Sequence, residues 1–425
     1  MGVRISLGRD RWDDFFAMLL GLFLGTDIAY LFFIGTTPFI ISSVYSVVLL
    51  AWFILTGRFH IRPMLRMIPK GFVFFCIWIL FSVVFSFATF LSVSLMYRYV
   101  VGVIAFLISL TALLDTIILY PHRKAIGRGM AWAIVINAAF CIVQYLYYHS
   151  GRLYDTLYNL FPQPNFHLSI YNFMTQGLFL EPSHMNRFLS TCIPLWLGLN
   201  WKGRYRDYAV LGCGLLSTAL SSSGVSMTVY VTVVLFFVLA GLLKKRVSRK
   251  NAILATVLLG IAAIGGILIL ANGLAEEFLG NLKEYLSNAY SGSDITDESN
   301  EERLTSILTA LSLLPYVPVG CGWNMVHTLL EETALGTASA FSDIVEMLLE
   351  IGIVGVSFYL ISVGKLILRC LEKKSQESKG FAVSLIAILT VQLLTDYAIN
   401  PCIMVALGLA MCCAKEKNQP AAMKT

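Results

Sequence analysis

Along this chain, apolar residues gather in stretches of about 18 or more between short polar segments, long enough to cross ~30 Å of hydrocarbon as helices. The pattern predicts twelve spans, roughly 14–34, 38–57, 71–92, 98–120, 129–148, 178–200, 207–221, 224–243, 252–271, 340–364, 381–396 and 400–414. The ten-residue alternation of a membrane barrel is missing. The expectation is an all-α integral membrane protein with ten to twelve transmembrane helices in a single polytopic domain, 1–425. Two long connections, 149–177 and 272–339, are inserted in it as extracytoplasmic loops.

Composition agrees with this pattern: 57% of the 425 residues are apolar and 13% charged, outside the range of soluble domains. The net charge of +6 reads as a topology signal rather than a nucleic-acid footprint. All Lys and Arg except Arg98, Arg152, Arg187, Lys283 and Arg303 fall on the side of the N-terminus or at its border, so the positive-inside rule puts both termini in the cytoplasm. The basic start, with no small-residue cleavage site after span one, predicts an uncleaved anchor. Of nine cysteines only Cys321 falls in a predicted outer loop, and neither a disulfide framework nor a metal-ligand spacing emerges.

Against this background Glu181-Pro182-Ser183-His184-Met185-Asn186-Arg187 stands out. Each ionised group near the centre of a membrane helix costs on the order of 2.5–3.5 kcal/mol, so such groups face a protein interior or a wet cavity. Pro182 suits the first turn of a helix and makes Glu181 the cap. The helix start near Ser183 is then an anion site. Glu181, His184 and Arg187 recur every three residues along one side. The alternative is a structural Glu–Arg pair beside a satisfied core histidine.

Other candidates lie on the same side. Glu301 to Leu311 has apolar residues at helical spacing, predicting an outer amphipathic helix that begins near Arg303 and ends before Pro315, with a turn at Pro318 to Trp323. Arg303 reads either as a surface ion pair or as a guanidinium fork for a diphosphate. Asp343, Glu346 and Glu350 share one face of span ten, with Asp343 facing the site and Glu350 deeper, in a hydrogen-bonding role. Ser221 to Gly224 reads as a tight turn with free hydroxyls, or as a plain loop. Asp27, Asp396, Asn400, His167 and His327 are candidates for support. The aromatic first loop, with Tyr154, Tyr158 and Phe166, suits either sugar stacking or the membrane interface.

In order, a Phe-Leu-Glu-Pro-Ser-His segment (179–184), a Ser-Ser-Ser-Gly turn (221–224), a large outer loop with an Arg-led helix, Pro-Val-Gly-Cys-Gly-Trp (318–323) and Leu-Glu-Ile-Gly-Ile-Val-Gly (349–355) resemble the O-antigen ligase and Wzy-type polymerase superfamily. The likeness runs over roughly residues 175 to 360 and is strongest to the capsular and exopolysaccharide polymerases. It implies a GT-C-like bundle in the bacterial cytoplasmic (inner) membrane and metal-independent glycosyl transfer on the outer face, with no cofactor. It also implies undecaprenyl-diphosphate-linked oligosaccharide as donor and acceptor, membrane lipid around it, and a chain-length regulator and a flippase as candidate partners.

In these terms Arg303 matches the loop arginine that holds the diphosphate; the residues of this chain, rather than the family pattern, add Arg187 and Ser183 beside it. Glu181, His184 and Asp343 are the catalytic candidates, and Ser223, Ser342 and Glu350 support them. The ligase pattern has an Arg where Gly224 stands and a His where Ser342 and Asp343 stand. These departures favour a polymerase over a ligase. A lipid-linked oligosaccharide flippase would share the topology, but the internal repeat expected of a transporter is missing.

Overall fold

The computed structural model describes residues 7–27, 30–34, 37–90, 93–148, 175–179, 181–221, 223, 225–243, 298–331, 340, 342–395 and 399–416. In chain order these form α1 (Leu7–Phe23), a hairpin of β1 (Tyr30–Ile34) and β2 (Thr37–Ile40), α2 (Ile41–Leu55), α3 (Ile61–Met67), α4 (Lys70–Phe90), α5 (Val93–Ile118), α6 (Arg123–Tyr148), α7 (Pro182–Asn200), α8 (Tyr205–Ser221), α9 (Ser226–Leu243), α10 (Glu298–Leu313), α11 (Val326–Glu331), α12 (Asp343–Glu372), α13 (Gln376–Leu394) and α14 (Pro401–Lys415). Among the described residues the molecule is helical apart from the hairpin. The expected span 252–271 and most of the two large loops lie outside the described residues.

Among the described residues, five helices, α4, α5, α6, α12 and α13, are long and apolar enough to cross a membrane. The first expected span needs correction. The 14–34 stretch reads as one helix, but α1 ends at Phe23, where Gly25 N–H closes a turn onto Leu22 O at 3.1 Å and Asp27 N–H pairs with Leu178 O at 3.2 Å. Beyond the turn, the aromatic and branched run Tyr30–Ile34 pairs antiparallel with Thr37–Ile40, with Ile34 opposite Thr37. Such residues suit a pleated strand, and a proline is tolerated at its edge.

The centre of the bundle is α7, α13 and α14. Every residue from Met185 to Leu199 and from Pro401 to Cys413 is buried. This resolves the energetic oddity of the Glu181–Arg187 segment: its helix is surrounded by protein rather than lipid. Gly198 and Gly380 let α7 and α13 approach closely, since a Cβ on Gly380 would stand 2.5 Å from Pro194 O. The core then spreads outward, through α6 and α9 on one side and α12 on the other.

At one end the segments expected inside meet. The Arg58 guanidinium takes both oxygens of buried Asp13, at 2.5 and 2.7 Å. His122 lies 2.9 Å from Asp14, and Arg123 Nε donates to Glu377 at 2.8 Å. Asn200 donates to Lys124 O at 3.0 Å, and Gln376 to Leu197 O at 2.8 Å. At the opposite end α2, α7, α12 and α14 all begin.

Candidate functional site

Glu181 is extended (φ −138°, ψ 150°), and Pro182 opens α7 as expected. The Glu181 side chain makes no capping bond. Its carboxylate instead accepts from the Ser183 hydroxyl at 2.9 Å, with His184 Nε2 at 3.9 Å. The other imidazole nitrogen, Nδ1, sits 2.6 Å from Asp27 Oδ2, so His184 stands between two carboxylates.

Two amides of α6 place these groups. Asn137 donates to Gly25 O at 2.8 Å and accepts from Leu178 N–H at 2.8 Å. Gln144 donates to Gly177 O at 3.0 Å and accepts from the N–H groups of Gln176 and Gly177 at 3.1 and 2.9 Å. The segment that follows α1 and the segment that precedes α7 are thus tied to one helix face. On the other side of α7, Asn186 donates to Ser221 Oγ at 2.7 Å and Ser226 Oγ at 3.1 Å. Ser223 Oγ accepts from Val225 N–H at 3.3 Å, so the serine turn is held by bonds within itself and to α7.

The opposite wall depends on a break in α12. Gly352 is non-helical (φ 65°, ψ 175°), which takes the carbonyls before it out of the helical ladder. Their partners come from elsewhere: Cys321 N–H donates to Leu349 O at 2.7 Å, Gly322 N–H to Glu350 O at 2.9 Å and Trp78 Nε1 to Ile351 O at 2.7 Å. The Pro318–Trp323 turn therefore docks on the break. Beyond it, the buried Glu350 carboxylate accepts backbone N–H groups of Asn324, Met325 and Val326 at the start of α11.

Asp343, also buried, accepts from Gln392 Nε2 at 2.6 Å, and Gln392 in turn accepts from Tyr359 at 2.9 Å. The Ser342 hydroxyl donates to Leu393 O at 3.0 Å. Glu346 accepts from Ala340 N–H at 3.1 Å. Asn400 caps α14 with bonds of 2.9 and 3.2 Å from Cys402 and Ile403 N–H.

Between the two walls lies a cavity of about 570 Å³ whose lining includes Asp27, His184 and Arg187 on one side and Asp343, Glu346 and Glu350 on the other. Trp323, His327 and Asn400 also line it. The sequence candidates His184, Arg187, Asp343 and Glu350 are brought together here, with Asp27, Glu346, His327 and Asn400 beside them. Among the described residues that line it, Glu181, Ser183, Ser223 and Ser342 do not appear. Arg303 stands in the second turn of α10, and its side chain, like His167, Asp396, Gly224 and the aromatic loop, lies outside the described residues.

Sequence reading gave Asp27 a supporting role only, and passed over Asn137 and Gln144. The available signal was two amides seven residues apart, hence on one face, in an otherwise apolar span. Electrostatically the cavity collects the starts of α2, α7, α12 and α14, whose positive dipole ends favour anions. It thus joins anion-holding features, one guanidinium and proton-accepting groups. Among the described residues no cluster of His, Cys, Asp and Glu has the makings of a metal centre. Compared with models of known protein families and with curated proteins, the chain matches none.

Proposed function

We propose that the chain is a polysaccharide polymerase that joins undecaprenyl-diphosphate-linked oligosaccharide repeat units on the outer face of the bacterial cytoplasmic membrane. In this reading the fold is a GT-C-like bundle of about twelve spans, and both termini are cytoplasmic. The observation that carries it is the cavity itself: Arg187, His184 and Asp343, groups for an anionic leaving group and for a hydroxyl proton, share one space at the end of the bundle away from the basic loops.

Arg187, Arg303 and the start of α7 hold the donor diphosphate and stabilise its charge as it leaves. A group on the cavity wall removes the acceptor hydroxyl proton. The carboxylates of α12 accept hydrogen bonds from sugar hydroxyls, and Trp323 offers a ring face.

The test is purified protein in liposomes supplied with the lipid-linked repeat unit, with chain length read on a gel. The native protein produces a ladder; Arg187→Ala and Arg303→Ala collapse it, while the proteins remain folded. Normal ladders from both variants overturn the assignment. Substrate that becomes protected but is not extended marks a transporter, and transfer onto lipid A core marks a ligase.

A further inference from the structure

Asp27 has no place in the reaction as set out above, although it makes a short polar contact in the cavity, 2.6 Å to His184. Its backbone is tied at two points: its own N–H donates to Leu178 O at 3.2 Å, and Gly25 O two residues earlier accepts from the Asn137 side-chain amide at 2.8 Å. From this fixed loop, Oδ2 meets His184 Nδ1 at 2.6 Å. A carboxylate accepts and does not donate, so Nδ1 carries the hydrogen and, in the neutral ring, Nε2 keeps a lone pair. Both residues line the cavity, next to Arg187.

Glu181 is placed differently. It precedes the helix, its side chain is 43% exposed, and its carboxylate accepts the Ser183 hydroxyl.

We propose that Asp27 is the positioning residue that fixes the tautomer and orientation of His184, and that His184 Nε2, rather than the Glu181 carboxylate, takes the proton from the acceptor hydroxyl. This rests on the polymerase reading. The hydroxyl proton passes to Nε2 and the freed oxygen bonds to the anomeric carbon of the donor sugar. The bond from that carbon to the diphosphate oxygen breaks, with its electron pair leaving on the diphosphate. The imidazolium, held by Asp27, then gives its proton to the released diphosphate. Buried or hydrogen-bonded carboxylates that orient a histidine base in this manner contribute orders of magnitude to rate.

The titratable and charged groups around His184 are Asp27 after α1, Glu181 just before α7, Arg187 on α7, and Asp343, Glu346 and Glu350 on α12, with His327 on α11. Two readouts test the assignment. The first needs no turnover: nitrogen-15 spectra of histidine-labelled full-length protein in lipid, with the His184 signals identified by their loss in His184→Gln. Native protein shows a protonated Nδ1 and a bare Nε2 above the titration of the ring. Asp27→Asn, whose amide can donate, shifts the population toward the Nε2–H tautomer, and Asp27→Glu restores the native pattern.

The second readout is chain extension. Asp27→Asn lowers kcat by about 10²-fold or more with KM little changed. Asp27→Glu recovers part of the rate.

A native Nε2–H tautomer, or one indifferent to Asp27→Asn, overturns the inference. So does extension in which Glu181→Gln costs as much as His184→Gln while Asp27→Asn costs little; in that case the polymerase reading survives and only the base is wrong. If the tautomer follows Asp27 but native protein extends no chain, the polymerase reading falls and takes the base with it, leaving only the pairing.

Discussion

A side-chain amide can serve two backbone segments at once, because it carries two donors and an acceptor on one short arm. Asn137 and Gln144 do this between the end of α1 and the start of α7, and through them a helix with no charge in the cavity decides where Asp27 and His184 meet. Gln144→Leu leaves Gly177 O and two N–H groups without their buried partner, at a cost of about 1–3 kcal/mol. The expected result is a lower unfolding temperature in detergent, with a loss of chain extension in liposomes that exceeds what the loss of folded protein explains. Gln144→Glu keeps an acceptor for both N–H groups and should fall in between; equal unfolding temperatures for Gln144→Leu and native protein would remove the bracket from the account. At this scale the charges stand out in the sequence, whereas the amides carry only the weaker signal of their seven-residue spacing. His184 and Arg187 reach the cavity as their helical spacing suggested, whereas Glu181 does not, because it precedes the first helical residue and points from an extended backbone.

Elements were legible where a local signal set their ends. Pro182 opens α7, and Asn400-Pro401 caps α14 through its own side chain. The signal failed where the deciding partner was distant in sequence. Leu349 to Gly355 reads as unbroken helix, yet α12 breaks at Gly352 because the Pro318–Trp323 turn and Trp78 take its carbonyls. The 14–34 stretch reads as one span for the same reason: what turns it after Phe23 is Leu178 and Asn137. The break makes a sharp demand on residue type. An alanine at 352 would sit at a φ of 65° with its Cβ 2.5 Å from Pro318 O, and such backbone strain alone costs about 1–3 kcal/mol. Gly352→Ala is therefore expected to destabilise by more than about 2 kcal/mol in reversible unfolding. Trp78→Phe keeps the ring but leaves Ile351 O unpaired, for about 1–3 kcal/mol. Because both act on one joint, the double variant should lose less than the sum; strict additivity would mean that the turn and the indole do not share it.

For the whole molecule, charge distribution and fold give the same axis by different routes. The basic segments were assigned to one side by the positive-inside rule alone, and in the structure Asp13, Arg58, His122, Arg123, Asn200 and Gln376 are tied together at one end. The polar cavity lies where α2, α7, α12 and α14 start, at the other. An enzyme acting on lipid-linked sugars outside the cytoplasm requires the second end to face outward, and this orientation is open to direct measurement. Lys202 and Tyr316 are both exposed, Tyr316 by 81%, and lie in segments expected on opposite sides. With Ser at the half-buried Cys76 and Cys213, single Lys202→Cys and Tyr316→Cys variants can be challenged in intact cells with a membrane-impermeant maleimide. Tyr316→Cys is expected to label at once, and Lys202→Cys only after the membrane is permeabilised. The reverse order would put the cavity on the cytoplasmic side, and the polymerase reading would fail on geometry before any assay of turnover.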